Sequence, residues 1–376
     1  MLGPLIALVL SLIAPIFLLP FLGGQGLVDM PGNRRAHSIP TVRGGGIGIS
    51  LAILFGILAH VITLIVEGWE EIPPLFMLVG VLVAWFTAVG IFDDIYGLNT
   101  RAGVVLLALG GVAMSGTTIY LMLTGPLEYS VASMVTAAIL VVPFTVWVTN
   151  AANFMDGING ITSLYVIISG VWTLYLCRDW TDKTLQILTL ILIAGFLGFL
   201  PWNLPRARIF PGESGAYVAG AATLVMCVTL MVRGVSIPAT IAPLAVYWMD
   251  VLFTFVYRTF YRLNPMLMHR EHNYQKLQRY FGSHRKTVAV VGLVQLVSVG
   301  IAYACGGADA PLWAIIPVMV PACVFSAWPI PDPPADHTAP SPSDASAAEV
   351  DSARVGSAEM DSGADTGSSP GTSVSG

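Results

Sequence analysis

Eleven apolar runs, none shorter than sixteen residues, constrain this chain more than any other feature. They cover 2–22, 46–66, 75–92, 103–123, 131–149, 159–177, 185–200, 216–232, 237–257, 287–305 and 311–328. Leu75 to Phe92 is eighteen residues without a charge. The hydrocarbon core of a bilayer takes about 20 residues of helix, and membrane helices tolerate the Gly and Pro that interrupt some runs. Of 376 residues, 55% are hydrophobic and 10% charged, where a soluble domain carries about 25% charged residues. The expected fold class is an all-α polytopic membrane protein with about eleven transmembrane helices.

The basic residues give the expected orientation. Loops after odd-numbered runs hold thirteen Lys and Arg, and loops after even-numbered runs hold three, Arg178, Lys183 and Arg233. The positive-inside rule then places the odd loops and the C-terminus in the cytoplasm and the N-terminus outside. The first run has no basic residues before it and no clear cleavage site, and reads as a retained helix. Two domains are expected: a membrane domain over 1–328 and an acidic tail over 329–376. The tail has eight acids against one base, Arg354, so its −7 leaves the membrane body at about +2 from a total of −5. With almost no large apolar residues it reads as disordered. Four widely spaced cysteines, Cys177, Cys227, Cys305 and Cys323, read as small hydrophobes.

The chemistry-bearing residues fall on the loops assigned to the cytoplasm. LVDMPGNRRAHSIPTVRGGGIGIS offers Arg34, His37 and Arg43 beside a glycine triplet; arginines grip phosphate with a fork geometry and glycines let a backbone approach closely. The same stretch also suits an ordinary basic loop. Asp93 and Asp94 sit side by side at the end of the third run. Carboxylates at a membrane border are costly and usually functional, although a solvated helix end near Arg101 would explain them more simply. Adjacent helical residues point about 100° apart, so the pair cannot easily grip one ion.

In TNAANFMDGINGITS, Asn150, Asn153 and Asp156 recur every third residue and share one helical face. Amides and a carboxylate so placed can read a base or sugar and hold Mg2+; a capped polar helix end explains one of them, not all three. PWNLPRARIFPGESGAYVAG places Asn203, Arg206, Arg208 and Glu213 before the eighth run, where a helix N-terminus attracts anions and Glu213 could complete a metal site. The last loop, with His269, Arg270, His272 and His284, suits anionic lipid in general. Its HREHNYQ cluster is denser than that requires, and His272 could exchange a proton with a phosphate.

Together these loops resemble the polyprenyl-phosphate N-acetylhexosamine-1-phosphate transferases. The shared patterns, in order, are Asp-x-Pro-x-x-Arg with Pro-Thr-x-Arg-Gly-Gly-Gly, Gly-x-x-Asp-Asp, Asn-x-x-Asn-x-x-Asp-Gly, Trp-Asn-x-Pro with Phe-x-Gly-x-x-Gly, and a basic loop containing histidine. The resemblance implies attack of undecaprenyl phosphate on a UDP-N-acetylhexosamine, with release of UMP and a requirement for Mg2+, Mn2+ being a substitute. It implies a multi-pass protein of the bacterial inner membrane with its site on the cytoplasmic face. The partners are then the bilayer and the two substrates, with no nucleic acid, and a homodimer is compatible with the reading.

Carried over by position, the resemblance makes Asp93, Asp94, Asp156 and His272 catalytic. It makes Glu213, Asp94 and Asp156 metal ligands, and Arg34, His37, Arg43, Asn150, Asn153, Asn203, His269 and Arg270 substrate-binding. Asp250, within the ninth run, is expected to orient neighbours. Glu213 stands for the family's usual aspartate, Ala216 for a serine and Asn159 for a second aspartate. The last loop is closer to members that start O-antigen or capsule chains with N-acetylfucosamine or N-acetylquinovosamine than to the peptidoglycan branch. Alanine at Asp94 is expected to abolish turnover and leave the fold intact. The alternatives are a transporter or flippase of an anionic lipid-linked substrate, and an inactive relative that binds lipid phosphate.

Overall fold

The computed structural model describes residues 2–30, 39–263 and 271–331. Arg34, His37, His269 and Arg270 lie outside them, as does the tail from residue 332. The helices are α1 (Leu2–Gly24), α2 (Gly46–Val66), α3 (Leu75–Tyr96), α4 (Thr100–Thr124), α5 (Val131–Met155), α6 (Ile161–Leu176), α7 (Thr184–Asn203), α8 (Gly212–Val232), α9 (Ile237–Ile241), α10 (Ala245–Phe260), α11 (Asn273–Phe281), α12 (His284–Ala304) and α13 (Ile315–Ala327).

Every expected apolar run carries helix. Among the described residues nine helical spans are long and apolar enough to cross a membrane, α9 and α10 together counting as one. Two others, Ile161–Leu176 and Leu312–Ala327, are shorter. At 1.5 Å per residue, sixteen residues reach only about 24 Å of a core about 30 Å thick. The ninth run is not one smooth helix. It tightens into a 3-10 turn at Ala242–Leu244, where Pro243 has no N–H to continue the α pattern.

Among the described residues the protein is all-α apart from three short strands, which periodicity did not reveal. β1 (Val28–Asp29) pairs antiparallel with β2 (Thr41–Arg43), and β2 pairs parallel with β3 (Ile209–Phe210). Backbone at a membrane border must find partners, and here two loops far apart in sequence satisfy each other. The pairing continues through Gly45 N–H to Phe210 C=O at 2.8 Å and Gly46 N–H to Pro211 C=O at 2.7 Å. It therefore delivers the N-termini of α2 and α8 to one place.

The core forms around α8, whose residues from Ser214 to Leu230 are all buried. Small residues allow this. A Cβ on Gly46 would lie 2.0 Å from Gly215 N, and one on Gly90 would lie 2.2 Å from Ser214 Cα. α2 and α3 thus meet the first turn of α8 backbone to backbone. Elsewhere α8 is held by larger groups: Tyr165 of α6 stacks on Tyr247 of α10 at 4.0 Å and bonds Thr223 at 3.0 Å.

Candidate active site

The end of α3 meets the start of α8. Asp94 is 3% exposed and receives the backbone N–H groups of Glu213 (3.1 Å) and Ser214 (3.3 Å) and the Ser214 hydroxyl (3.2 Å). It caps α8 from another helix, satisfying N–H groups that the helix itself leaves open. Arg43 of β2 donates to the Asp94 backbone carbonyl and sits 3.8 Å from its carboxylate. Asp93 turns to different partners. Its Oδ1 takes the Leu98 N–H at 2.9 Å and its Oδ2 takes the Tyr217 hydroxyl at 2.7 Å. The 100° separation expected of neighbours on a helix thus sends the two carboxylates to different groups. Because Asp94 holds α8, alanine there also removes a cap.

Glu213 lies in the first turn of α8. Its Oε2 is buried and accepts no hydrogen bond. Asp94, Asp93 and Asp156 all bear on it electrostatically, and Arg43 is the cation that opposes them. Asp156 follows the last residue of α5 and receives the Thr162 hydroxyl. Loss of water pushes its carboxyl up to about 8; the Thr162 bond works against this and the charge of Asp94 adds to it. Glu213 thus lies within electrostatic reach of three other carboxyl groups, from the ends of α3 and α5.

The amides divide by task. Asn153 donates to the Tyr217 oxygen at 3.5 Å, beside the carboxylates. Asn150 donates to Val146 C=O of its own helix at 2.8 Å. Asn203 is 3% exposed; it accepts from Gly160 N–H and donates to Ile209 C=O at 3.0 Å. It ties the loop after Asp156 to the strand before Glu213. Asn159 donates to Pro205 C=O at 3.3 Å, a bond that an ionised aspartate could not make.

His272 is drawn in from the last loop. Its Nδ1 lies 3.2 Å from Asp250 Oδ2, and its ring stacks on Phe154 at 6.2 Å. Asp250 Oδ1 also takes the Asn273 N–H at 2.9 Å, and Arg258, two turns further along α10, pairs with Glu271 at 2.6 Å. The expected orienting role of Asp250 has this geometry. Among the described residues, Arg43, Asp93, Asp94, Asn153, Asp156 and Glu213 come together, His272 packs instead on Phe154 and Asp250, and Asn150 and Asn203 bond to backbone in these positions. Tyr217 and Thr162 were not singled out from sequence. The only signal was polarity inside apolar runs, which most buried hydroxyls share.

No three Asp, Glu, His or Cys side chains among the described residues form a ready cage for an ion. The donor set nevertheless suits Mg2+, which is held by one or two carboxylates and completes its shell with water and substrate phosphates. Glu213, with one oxygen lacking a partner and three carboxylates around it, fits such a partly built site. The arrangement can bind a cation and, through it, a polyanion at the membrane border.

The glycosyl transferase family 4 model matches residues 75–231, the stretch from α3 to α8 that supplies all four carboxylates. The chain is 25% identical over 309 residues to the probable undecaprenyl-phosphate N-acetylglucosaminyl 1-phosphate transferase of Bacillus subtilis, covering 78% of this chain and 82% of that one. It is 28% identical over 315 residues to the decaprenyl-phosphate N-acetylglucosaminephosphotransferase of Mycolicibacterium smegmatis, covering 74% and 75%. It is 26% identical over 304 residues to the undecaprenyl-phosphate alpha-N-acetylglucosaminyl 1-phosphate transferase of Thermotoga maritima, covering 79% and 87%. With its site helices matched by the family model and its membrane body aligned along most of these relatives, the chain is similar to glycosyl transferase family 4 and to the polyprenyl-phosphate N-acetylhexosamine-1-phosphate transferases.

Proposed function

We propose that this protein transfers an N-acetylhexosamine 1-phosphate from a UDP-sugar to undecaprenyl phosphate, releasing UMP. The product is a lipid pyrophosphoryl sugar that starts a surface polysaccharide such as O-antigen or capsule. The observation that carries the reading is the surplus of carboxylates at the α3, α5 and α8 ends, with Glu213 Oε2 unpartnered among them. Both substrates are anions, and a site for them needs a cation that the carboxylates can hold. The names of the relatives support the reaction, and N-acetylglucosamine is the donor to try first. N-Acetylfucosamine and N-acetylquinovosamine follow, from the HREHNYQ loop.

The chain's own residues divide the work. Glu213 and Asp156 would hold Mg2+, with Asp94 beside them fixing Glu213 through the α8 N-terminus. Bound there, Mg2+ would offset the diphosphate charge and make the sugar-linked phosphorus easier to attack. Asp93 stands at the lipid border, where it orients or deprotonates the attacking phosphate. Arg43, with Arg34 and His37 of the same loop, holds phosphate oxygens. His272, oriented through Nδ1 by Asp250, serves a phosphate of the substrates, with His269 and Arg270 beside it in sequence. The site faces the cytoplasm, where UDP-sugars reside.

A transporter would need intramembrane charge available to its cargo. Asp250, the acid inside the ninth run, is engaged by His272 and Asn273, which favours the enzyme. The test is UMP release by the purified protein with undecaprenyl phosphate and Mg2+ across a panel of UDP-N-acetylhexosamines. UMP from one donor, lost with EDTA, is expected. A folded protein that binds undecaprenyl phosphate and releases no UMP from any donor would be an inactive relative.

A further inference from the structure

Tyr217 links two residues that come from different helices. Its ring is buried at 3% exposure, one turn into α8. A phenol has one proton to give, and here it goes to Asp93 Oδ2 at 2.7 Å. Its oxygen then accepts the Asn153 amide N–H at 3.5 Å. The chain of donation runs Asn153 to Tyr217 to Asp93, joining α5, α8 and α3. Asp93 Oδ1 is occupied by the Leu98 N–H, so the hydroxyl is the second point that fixes the carboxylate. Without it, Asp93 is free to turn about χ1 at the last turn of α3, where the side chain is only partly buried.

The first turns of α8 supply one hydroxyl to each member of the aspartate pair. Ser214 serves Asp94 and Tyr217 serves Asp93. Ala216 between them is fully buried and has no hydroxyl to offer. A catalytic carboxylate must be held within about half an ångström of its working position by groups that are themselves locked. The buried Tyr217 ring meets that requirement.

We infer that Tyr217 is a positioning residue for Asp93, holding that carboxylate and Asn153 in fixed relation across three helices. This rests on the proposed reaction, in which Asp93 acts on the lipid phosphate. Tyr217→Phe keeps the ring and removes only the hydroxyl, so it tests the bond and not the packing. With full-length protein, undecaprenyl phosphate and the UDP-sugar that supports turnover, kcat should fall on the order of tenfold to a hundredfold. Both KM values should stay within about twofold, as expected for loss of alignment felt in the transition state.

Thermal unfolding of Asp93→Asn, Tyr217→Phe and the double variant should give Tm shifts smaller together than their sum, the sign of a direct contact. Asn153→Leu cuts the other end of the chain, leaves Tyr217 in place, and should lower kcat in the same direction by less. Turnover at the wild-type rate in Tyr217→Phe, or additive Tm shifts, would overturn the inference and leave the reaction standing. So would a loss of kcat accompanied by equal changes in both KM values. A wild-type protein that releases no UMP takes down both.

Discussion

At one end of α8, Glu213 meets Asp93, Asp94 and Asp156, with Arg43 opposing them. At the other end, Arg233 meets one carboxylate, Asp182, and lies 5.0 Å over the Trp180 ring. The Tyr129 hydroxyl closes the helix there by bonding Val232 C=O at 2.8 Å. One N–H of Arg233, at Nε, is buried without a partner, yet its charge is matched. The same helix therefore has its charge matched at one terminus and carboxyl groups crowded together at the other. Balanced charge fastens loops. A surplus that the fold itself leaves standing calls for a ligand of opposite sign.

The sharpest way to break the contrast is Glu213→Gln, which keeps shape and removes one charge from the crowded end. UMP release should fall on the order of a hundredfold or more, with Tm unchanged or raised because repulsion is relieved. Wild-type turnover would make the surplus incidental. Next in size is Asp94→Ala. It leaves two N–H groups of buried α8 without an acceptor and the Ser214 hydroxyl with the Pro211 carbonyl alone, so unfolding should be easier by about 1–3 kcal/mol. Asp94→Asn keeps an acceptor oxygen and should lose less stability than alanine.

A smaller effect separates the ends by pH. The Asp156 carboxyl is raised to about 8, so between its unfolded value and that point the folded protein holds the extra proton. Stability of the metal-free protein should then fall as pH rises through this window, and Asp156→Asn should flatten the slope. Asp182 has the opposite sign. Burial alone would raise it, but the hydroxyl and N–H of Thr184 and the Arg233 guanidinium outweigh this and hold it below 3.8. Its contribution is present at neutral pH and is lost only as pH falls below that value. Its side chain is 42% exposed, so Asp182→Ala should cost less than about 1 kcal/mol in thermal unfolding and leave turnover unchanged.

Much of this was legible before any coordinates. Apolar runs of membrane length marked every helical span, because a bilayer leaves a chain few other choices. Asp93, Asp94, Asp156 and Glu213 stood out because acids at membrane borders are rare. What they touch did not. Tyr217 lies 124 residues from Asp93, and β3 lies 167 residues from β2. Pairings of that reach leave no periodicity. The ninth run read as one span, and nothing in it showed that the chain would tighten at Pro243 and resume as helix at Ala245. Asn159 resembled a lost acid, and only its bond to Pro205 explains an amide there.

The contacts of Gly46 with Gly215 and of Gly90 with Ser214 have a consequence for reading variation in this protein. In a saturation screen scored by growth, both glycines should be as intolerant as any acid of the site, because no side chain of any kind fits between the backbones. They carry no proton, charge or donor of their own beyond the main chain. Intolerance at this end of the bundle therefore mixes two populations, residues that react and residues that must be absent in bulk. Only substitutions that preserve size while changing chemistry, such as Glu213→Gln or Tyr217→Phe, tell them apart.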